Sequence, residues 1–230
     1  AAGYAYGQKL KGLDAVTICY FGEGAASEGD FHAGLNMAAV HNAPVIFFCR
    51  NNGYAISTPS DEQYKGNGIA SRGVGYGIKT IRIDGNDILA VIKATQLARE
   101  YALAENAPVI IEAMSYRLGA HSTSDDPSGY RTKEEEAKWH EHDPISRMKN
   151  WMLNQGWWTE EQESDLFDAL REDILAAVKV AEKIAKPPVE DLITDVYDTP
   201  IPRLQKQLDE LKEHIKKYPE AYPLTAGRFE

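Results

Sequence analysis

The sequence predicts an α/β fold, a mainly parallel sheet flanked by helices, with a helical C-terminal extension. Three observations carry that reading. The runs Ala15 to Phe21 and Val45 to Cys49 are short and continuously apolar, the character of parallel strands covered on both faces. Segments with helical spacing separate them from each other and from two further strands, long enough for right-handed crossovers. After residue 132 the pattern changes to helix following helix.

With 230 residues, 43% of them hydrophobic and 26% charged, the chain can bury a full core and has an ordinary globular balance. A net charge of -10 without a basic stripe speaks against nucleic acid as a partner. No stretch is apolar for long enough to span a bilayer and no signal-peptide pattern opens the chain, so no membrane partner is expected. Cys19 and Cys49 lie in apolar strand-like runs and read as small buried hydrophobes in a reducing compartment rather than as a disulfide or metal pair.

Taken in order, Ala1 to Leu10 reads as a helix already under way, with neither a cap nor an initiator methionine, which leads us to expect further residues upstream. Gly12 is its stop. The strand Ala15 to Phe21 runs into Gly22-Glu23-Gly24, and Glu28 to Asn42 carries Phe31, Leu35 and Ala38 at helical spacing before Pro44. Ser27, three residues before Asp30, is placed for a capping box. Val45 to Cys49 closes a βαβ unit, which brings Gly22-Glu23-Gly24 and Arg50-Asn51-Asn52 to one edge of the sheet. An irregular, glycine-rich stretch follows to Gly77, longer than a simple connection needs and for that reason a candidate functional loop. Lys79 to Ile83 is the third strand, Asp87 to Asn106 a helix and Pro108 to Met114 the fourth strand, so the loop through His121 arrives at the same edge. That loop, from Arg117 to Arg131, contains no hydrophobic run to hold it down. Lys133 to His142, Pro144 to Gln155, Thr159 to Ala185 and Arg203 to Lys217 read as helices, and Glu134-Glu135-Glu136 as a solvated helix start favoured by the dipole.

The glycine-acid turn is the candidate site. Gly22 and Gly24 allow a sharp turn and a close ligand, and the following helix aims N–H groups at an anion. Glu23 in such a cradle repels phosphate unless a cation lies between them, which points to a hard divalent metal with oxygen ligands. A dinucleotide fingerprint is excluded, because Gly22-x-Gly24-x-x-Ser27 lacks the third glycine and the next strand ends in Arg50. The same Gly-x-Gly occurs at strand-to-helix turns that bind nothing, so by itself the turn leaves both readings open. Asn51-Asn52 alone fits a turn as well as a ligand pair, Tyr54 a packing surface, and His121 an exposed loop histidine as well as a proton carrier.

The clusters together decide more. Gly22-Glu23-Gly24, the 26 residues 25 to 50, and Asn51-Asn52 resemble the thiamine-diphosphate motif, in which a glycine-acid-glycine turn and a double asparagine hold Mg²⁺ against the diphosphate. Phe21-Gly-Glu-Gly-Ala-Ala-Ser-Glu-Gly-Asp30, Arg50-Asn-Asn-Gly-Tyr-Ala-Ile-Ser-Thr58, His121-Ser-Thr-Ser-Asp-Asp126 and Gln155-Gly-Trp-Trp158 resemble the alpha subunit of the branched-chain 2-oxoacid dehydrogenase decarboxylating component. The resemblance covers nearly the whole chain. Glu23 and Ser122-Thr-Ser-Asp-Asp126 favour this type over the pyruvate or acetoin dehydrogenase alpha subunit, and the presence of both Glu23 and Asn52 argues against a non-catalytic, partner-binding remnant.

The resemblance implies a thiamine-diphosphate-binding fold, with the cofactor core at 1–132 and a helical region at 133–230 that packs on the core and on partner subunits. It implies Mg²⁺ held by Glu23, Asn52 and the Tyr54 carbonyl, with Gly22, Gly24, Ala25, Arg50 and His121 at the diphosphate, His121 as the catalytic histidine and Ser122 as a phosphorylation position. The cofactor supplies the decarboxylation chemistry, and the acyl group of a branched-chain 2-oxoacid passes to a lipoyl-bearing acyltransferase core. The beta subunit, in an alpha2-beta2 heterotetramer, supplies the glutamate that activates the cofactor. The implied place is the cytoplasm of a bacterium, which we prefer, or the mitochondrial matrix of a eukaryote. The family's upstream tyrosine-arginine pair and monovalent-cation loop have no counterpart here, which agrees with the expectation of missing upstream residues.

Overall fold

The computed structural model describes residues 1–222. Helix α1 (Ala2–Leu10) leads to strand β1 (Thr17–Gly22), and a 3-10 turn (Ala25–Ser27) with helix α2 (Gly29–Val40) returns the chain to β2 (Val45–Asn51). The glycine-rich stretch is not irregular throughout. It folds into an antiparallel pair, β3 (Tyr54–Ala55) and β4 (Thr58–Pro59), and two short helices, α3 (Ser60–Gln63) and α4 (Ala70–Val74). Strand β5 (Lys79–Asp84), helix α5 (Ile88–Glu105), strand β6 (Val109–Met114) and helices α6 (Lys133–His140) and α7 (Pro144–Asn154) follow. Helices α8 (Glu160–Glu182), α9 (Asp191–Thr194) and α10 (Pro202–Lys217) come last among the helices of the described residues, before a 3-10 turn (Pro219–Ala221).

The predicted parallel sheet is present, in the order β1-β2-β6-β5, with every pair parallel. Its two faces are covered as the apolar runs require. On one, Ala5 of α1 and Leu35 and Ala38 of α2 pack on Val45, Phe47 and Ile110; on the other, Ala98 and Ala102 of α5 pack on Ile46, Phe48, Val109 and Ile111. Helix starts follow local chemistry. Asp87 accepts from the Leu89 and Ala90 amides, and Thr132, Asp143 and Thr159 cap α6, α7 and α8 in the same way. Asn106 ends α5 in the left-handed conformation. One expected cap is absent. Ser27 lies inside the 3-10 turn, so Glu28 takes the cap position of α2 without a side-chain bond, and the Ser27–Asp30 box does not form.

The chain divides into two compact units, Ala1–Trp157 and a second that begins at Trp158. The sheet and both polar turns belong to the first. Within it, Arg147 of α7 bonds Asp84 at the end of β5 at 2.7 Å. Within the second, Lys212 of α10 pairs with Glu190, next to α9, at 2.6 Å.

Candidate active site

Parallel pairing sets Gly22 opposite Arg50, and Asn51 opposite Met114, so β1, β2 and β6 end level with one another. Glu23 is the first residue past β1 and is fully buried, at 0% exposure. Its Oε2 accepts the Asn52 backbone N–H at 3.0 Å, which joins the glycine-acid turn directly to the double-asparagine turn. Its Oε1 has no partner. Gly24 is required by approach rather than by dihedral angle: a Cβ there would stand 2.8 Å from the Ala55 Cβ. The glycine thus lets β3 close against the first turn. Beyond it the 3-10 turn begins, its first paired amide being that of Ser27, so the amides of the preceding residues point out of the turn.

Burial pushes the Glu23 carboxyl above the usual glutamate range, and the backbone amides of Asn52, Glu23 and Tyr54 with the Arg117 guanidinium offset that only in part. A buried carboxylate with an orphaned oxygen is costly unless something of opposite charge completes it. The neighbouring groups are the ones such an ion needs. Asn52 Oδ1 accepts from the Tyr54 N–H at 3.2 Å, and the Tyr54 carbonyl is engaged by Arg117 only at 3.5 Å. One carboxylate, one amide oxygen and one backbone carbonyl on these adjoining turns are all oxygen donors, the type a hard cation takes. Among the described residues no group of three or more His, Cys, Asp and Glu could hold a metal. The set here contains one such side chain, so it is of another kind.

The Tyr54 ring is half-buried, and its hydroxyl donates to Glu135 Oε1 at 2.9 Å; burial and then Glu135 push its pKa up to about 12. Glu135 and Glu136 are therefore not merely solvated, as the charge run suggested: Glu136 pairs with Arg131 at 2.7 Å. Arg50 is exposed beside Gly22, open to an anion.

His121 is exposed, on the loop after β6. Its backbone N–H donates to Asp125 Oδ2 at 2.8 Å, and the Ser122 and Ser124 hydroxyls are 3.2 Å apart. Among the described residues no hydrogen bond joins the His121 imidazole to Glu23, Asn52 or Tyr54. The loop is held by polar bonds and by the Tyr130 ring, whose centroid lies 5.6 Å from that of Tyr54. Tyr130 donates to Asp125 Oδ2 at 2.6 Å, Arg117 bonds the Tyr130 hydroxyl at 3.0 Å and the Ile56 carbonyl at 2.6 Å, and buried Arg131 bonds the carbonyls of Arg117, Leu118 and Gly119. Sequence reasoning passed over Arg117, Arg131 and Glu112. For Glu112 a signal existed, since a lone acid within a buried strand must find donors.

Comparison with known proteins bears on this geometry. Residues 1–190 match the family model described as "Dehydrogenase E1 component". The chain belongs to the dehydrogenase E1 component family. Members of this family are generally thiamine diphosphate-dependent. The chain is 57% identical over 227 residues to the mitochondrial 2-oxoisovalerate dehydrogenase subunit alpha of Dictyostelium discoideum, covering 98% of this chain and 52% of the relative. It is 54% identical over 225 residues to that of Homo sapiens, with 97% and 51% covered, and 46% identical over 224 residues to the subunit alpha 2 of Arabidopsis thaliana, with 97% and 48% covered. The chain thus spans about half the length of the curated relatives it matches. All three relatives are named as mitochondrial, which gives the preference for a bacterial cytoplasm no support. Among the described residues no helix is long and apolar enough to cross a membrane.

Proposed function

We propose that the chain is part of the alpha subunit of a branched-chain 2-oxoacid dehydrogenase decarboxylating component, working in the mitochondrial matrix with thiamine diphosphate and Mg²⁺. The observation that carries this is Glu23: a fully buried carboxylate, fixed through one oxygen by the Asn52 amide and left unpartnered at the other. Glu23, Asn52 and the Tyr54 carbonyl would hold the ion. The backbone at Gly22, Gly24 and Ala25 and the side chains of Arg50 and His121 would hold the diphosphate. When bound, the cofactor supplies the electron sink for loss of CO₂ from the 2-oxoacid.

The chain's own residues bind, orient and move protons. The turns at Gly24 and Asn52 fix two sides of the cradle, and Arg117 braces the Tyr54 carbonyl from the loop side. His121, exposed on the loop after β6, would be the proton carrier toward substrate and a lipoyl group from the acyltransferase core. In this reading the core of residues 1–132 would carry the site, and the chain would work with the beta subunit in an alpha2-beta2 assembly. A phosphate on Ser122 would add about -1.5 to -2 charges beside Asp125 and Asp126 and disturb the loop by repulsion.

Two measurements on the complete alpha-beta assembly test this reading. Calorimetry should show thiamine diphosphate binding that requires Mg²⁺, and CO₂ release should be faster from branched than from unbranched 2-oxoacids. Faster release from pyruvate would assign the chain to the pyruvate or acetoin type, and absence of Mg²⁺-dependent binding would remove the cofactor assignment altogether.

A further inference from the structure

We propose that Glu112 is a positioning residue for the candidate metal site, tying the double-asparagine turn and the segment from Tyr64 to Arg72 into one rigid support. The inference rests on the Mg²⁺ and diphosphate reading above. Glu112 lies within β6, opposite Cys49 of β2, and is fully buried at 0% exposure. Each of its oxygens takes two donors. Oε1 accepts from Asn51 Nδ2 and the Ile69 amide, both at 2.8 Å; Oε2 accepts from the Ala70 amide at 2.8 Å and Arg82 Nε at 2.9 Å. The backbone is shaped around this carboxylate: Gly68 has φ +73°, and a Cβ there would collide with both Arg82 and Glu112.

The bonds lead on to the metal ligands. Asn51, held by Glu112 and by the Tyr64 hydroxyl at 3.3 Å, accepts the Gly53 amide on Oδ1 at 3.1 Å, which shapes the turn carrying Asn52 and Tyr54. The same segment reaches the other turn, where Arg72 donates to the Ala26 carbonyl. One support thus grips both sides of the cradle, and Glu112 is where its bonds converge. Packing alone does not call for a charge here, because well-packed apolar residues generally replace a buried ion pair at no loss of stability. What an apolar side chain cannot do is fix the orientation of the Asn51 amide and two backbone N–H groups at once. Groups that orient metal ligands from behind typically change metal affinity by ~10–100-fold when removed.

The test compares the wild type with Glu112→Gln in the full alpha-beta assembly. Mg²⁺ is titrated at saturating thiamine diphosphate by calorimetry, kcat is measured at saturating Mg²⁺, and amide exchange is followed at Gly53 and Tyr54 without cofactor. The expected result is a Mg²⁺ dissociation constant raised ~10–100-fold, a kcat largely kept once Mg²⁺ saturates, and faster exchange at Gly53 and Tyr54. A purely structural role would lower the melting temperature and leave the Mg²⁺ dependence where it was, and that result overturns the proposal. Should Glu112→Gln fail to fold, Asn51→Ser, which removes the Nδ2 bonds to Glu112 and Tyr64 together with the Oδ1 bond from Gly53, is judged by the same Mg²⁺ shift. If the wild type itself shows no Mg²⁺-dependent binding, the functional reading falls, and exchange decides the positioning role: faster at Gly53 and Tyr54 in Glu112→Gln supports it, unchanged rates refute it.

Discussion

Glu23 stands just past β1 and Glu112 inside β6, at the same end of one sheet, and neither has exposed surface. Glu112 receives four donors, two on each oxygen. Glu23 receives one amide on Oε2 and nothing on Oε1. The consequence appears in their acidity. Burial pushes both carboxyls up, but the amides of Ala70 and Ile69, with Asn51 and Arg82, more than reverse it for Glu112, whereas Glu23 stays raised. A buried acid whose lone pairs are all used belongs to the scaffold. One with an oxygen left open costs the fold stability unless something completes it.

The largest expected effect separates the two by stability. Glu112→Ala strands Asn51, two backbone amides and Arg82, and should lower unfolding free energy by about 3 kcal/mol in urea. Glu23→Gln should instead raise the stability of the metal-free chain by about 1 kcal/mol, since it removes a charge that lacks a partner, while abolishing Mg²⁺-dependent cofactor binding. Equal losses for the two variants would erase the distinction.

Acidity sharpens the contrast further, because the signs differ. The Glu112 contribution is fully present above the ordinary glutamate value and is lost as pH falls through its depressed one. The Glu23 contribution is fully present below the ordinary value and is lost as pH rises through its raised one. Urea unfolding of the metal-free chain across the carboxylate range should therefore show Glu112→Gln flattening the acid side and Glu23→Gln flattening the side above. Mg²⁺ should oppose the second effect only, since it favours ionised Glu23. Flattening on the same side in both variants would contradict the assignments.

Much of this was legible in the residues. The continuous apolar runs gave the parallel strands, and Gly22-Glu23-Gly24 with Asn51-Asn52 located the turns that the Glu23–Asn52 bond joins. Strand periodicity is local, so it survives translation into structure. The stretch from Gly53 to Gly77 was not legible because its order comes from non-local partners: β3 from the closeness of Gly24 and Ala55, the start of α4 from Glu112, more than forty residues away in sequence. The polar anchors of the loop past β6, Arg117, Tyr130 and Arg131, were not legible for a related reason, since their partners are set by the fold rather than by neighbours in sequence.

The smallest expected effect concerns a third carboxylate, which separates satisfaction of an acid from its burial. Asp125 is only half-buried, yet the Tyr130 hydroxyl and then the His121 N–H hold it below the usual aspartate range. Its contribution is therefore present above the ordinary aspartate value and is lost as pH falls through the depressed one. Solvent competes for both bonds, so Asp125→Asn should leave the melting temperature nearly unchanged. Local opening should still increase, because the bonds to His121 and Tyr130 lose their charge assistance, and the His121 amide should exchange faster. Arg131 holds the carbonyls of Leu118 and Gly119 at 3.0 and 3.1 Å, so opening should stop at Gly119. Ser122→Glu, which adds charge beside Asp125 and Asp126, should open the same short segment. If Ser122→Glu frees the loop back to Arg117, Arg131 is not the latch, and if Asp125→Asn changes nothing at His121, Asp125 plays no part in holding the loop. If both stop at Gly119, the loop has two separate fastenings, and only the outer one responds to charge at Ser122.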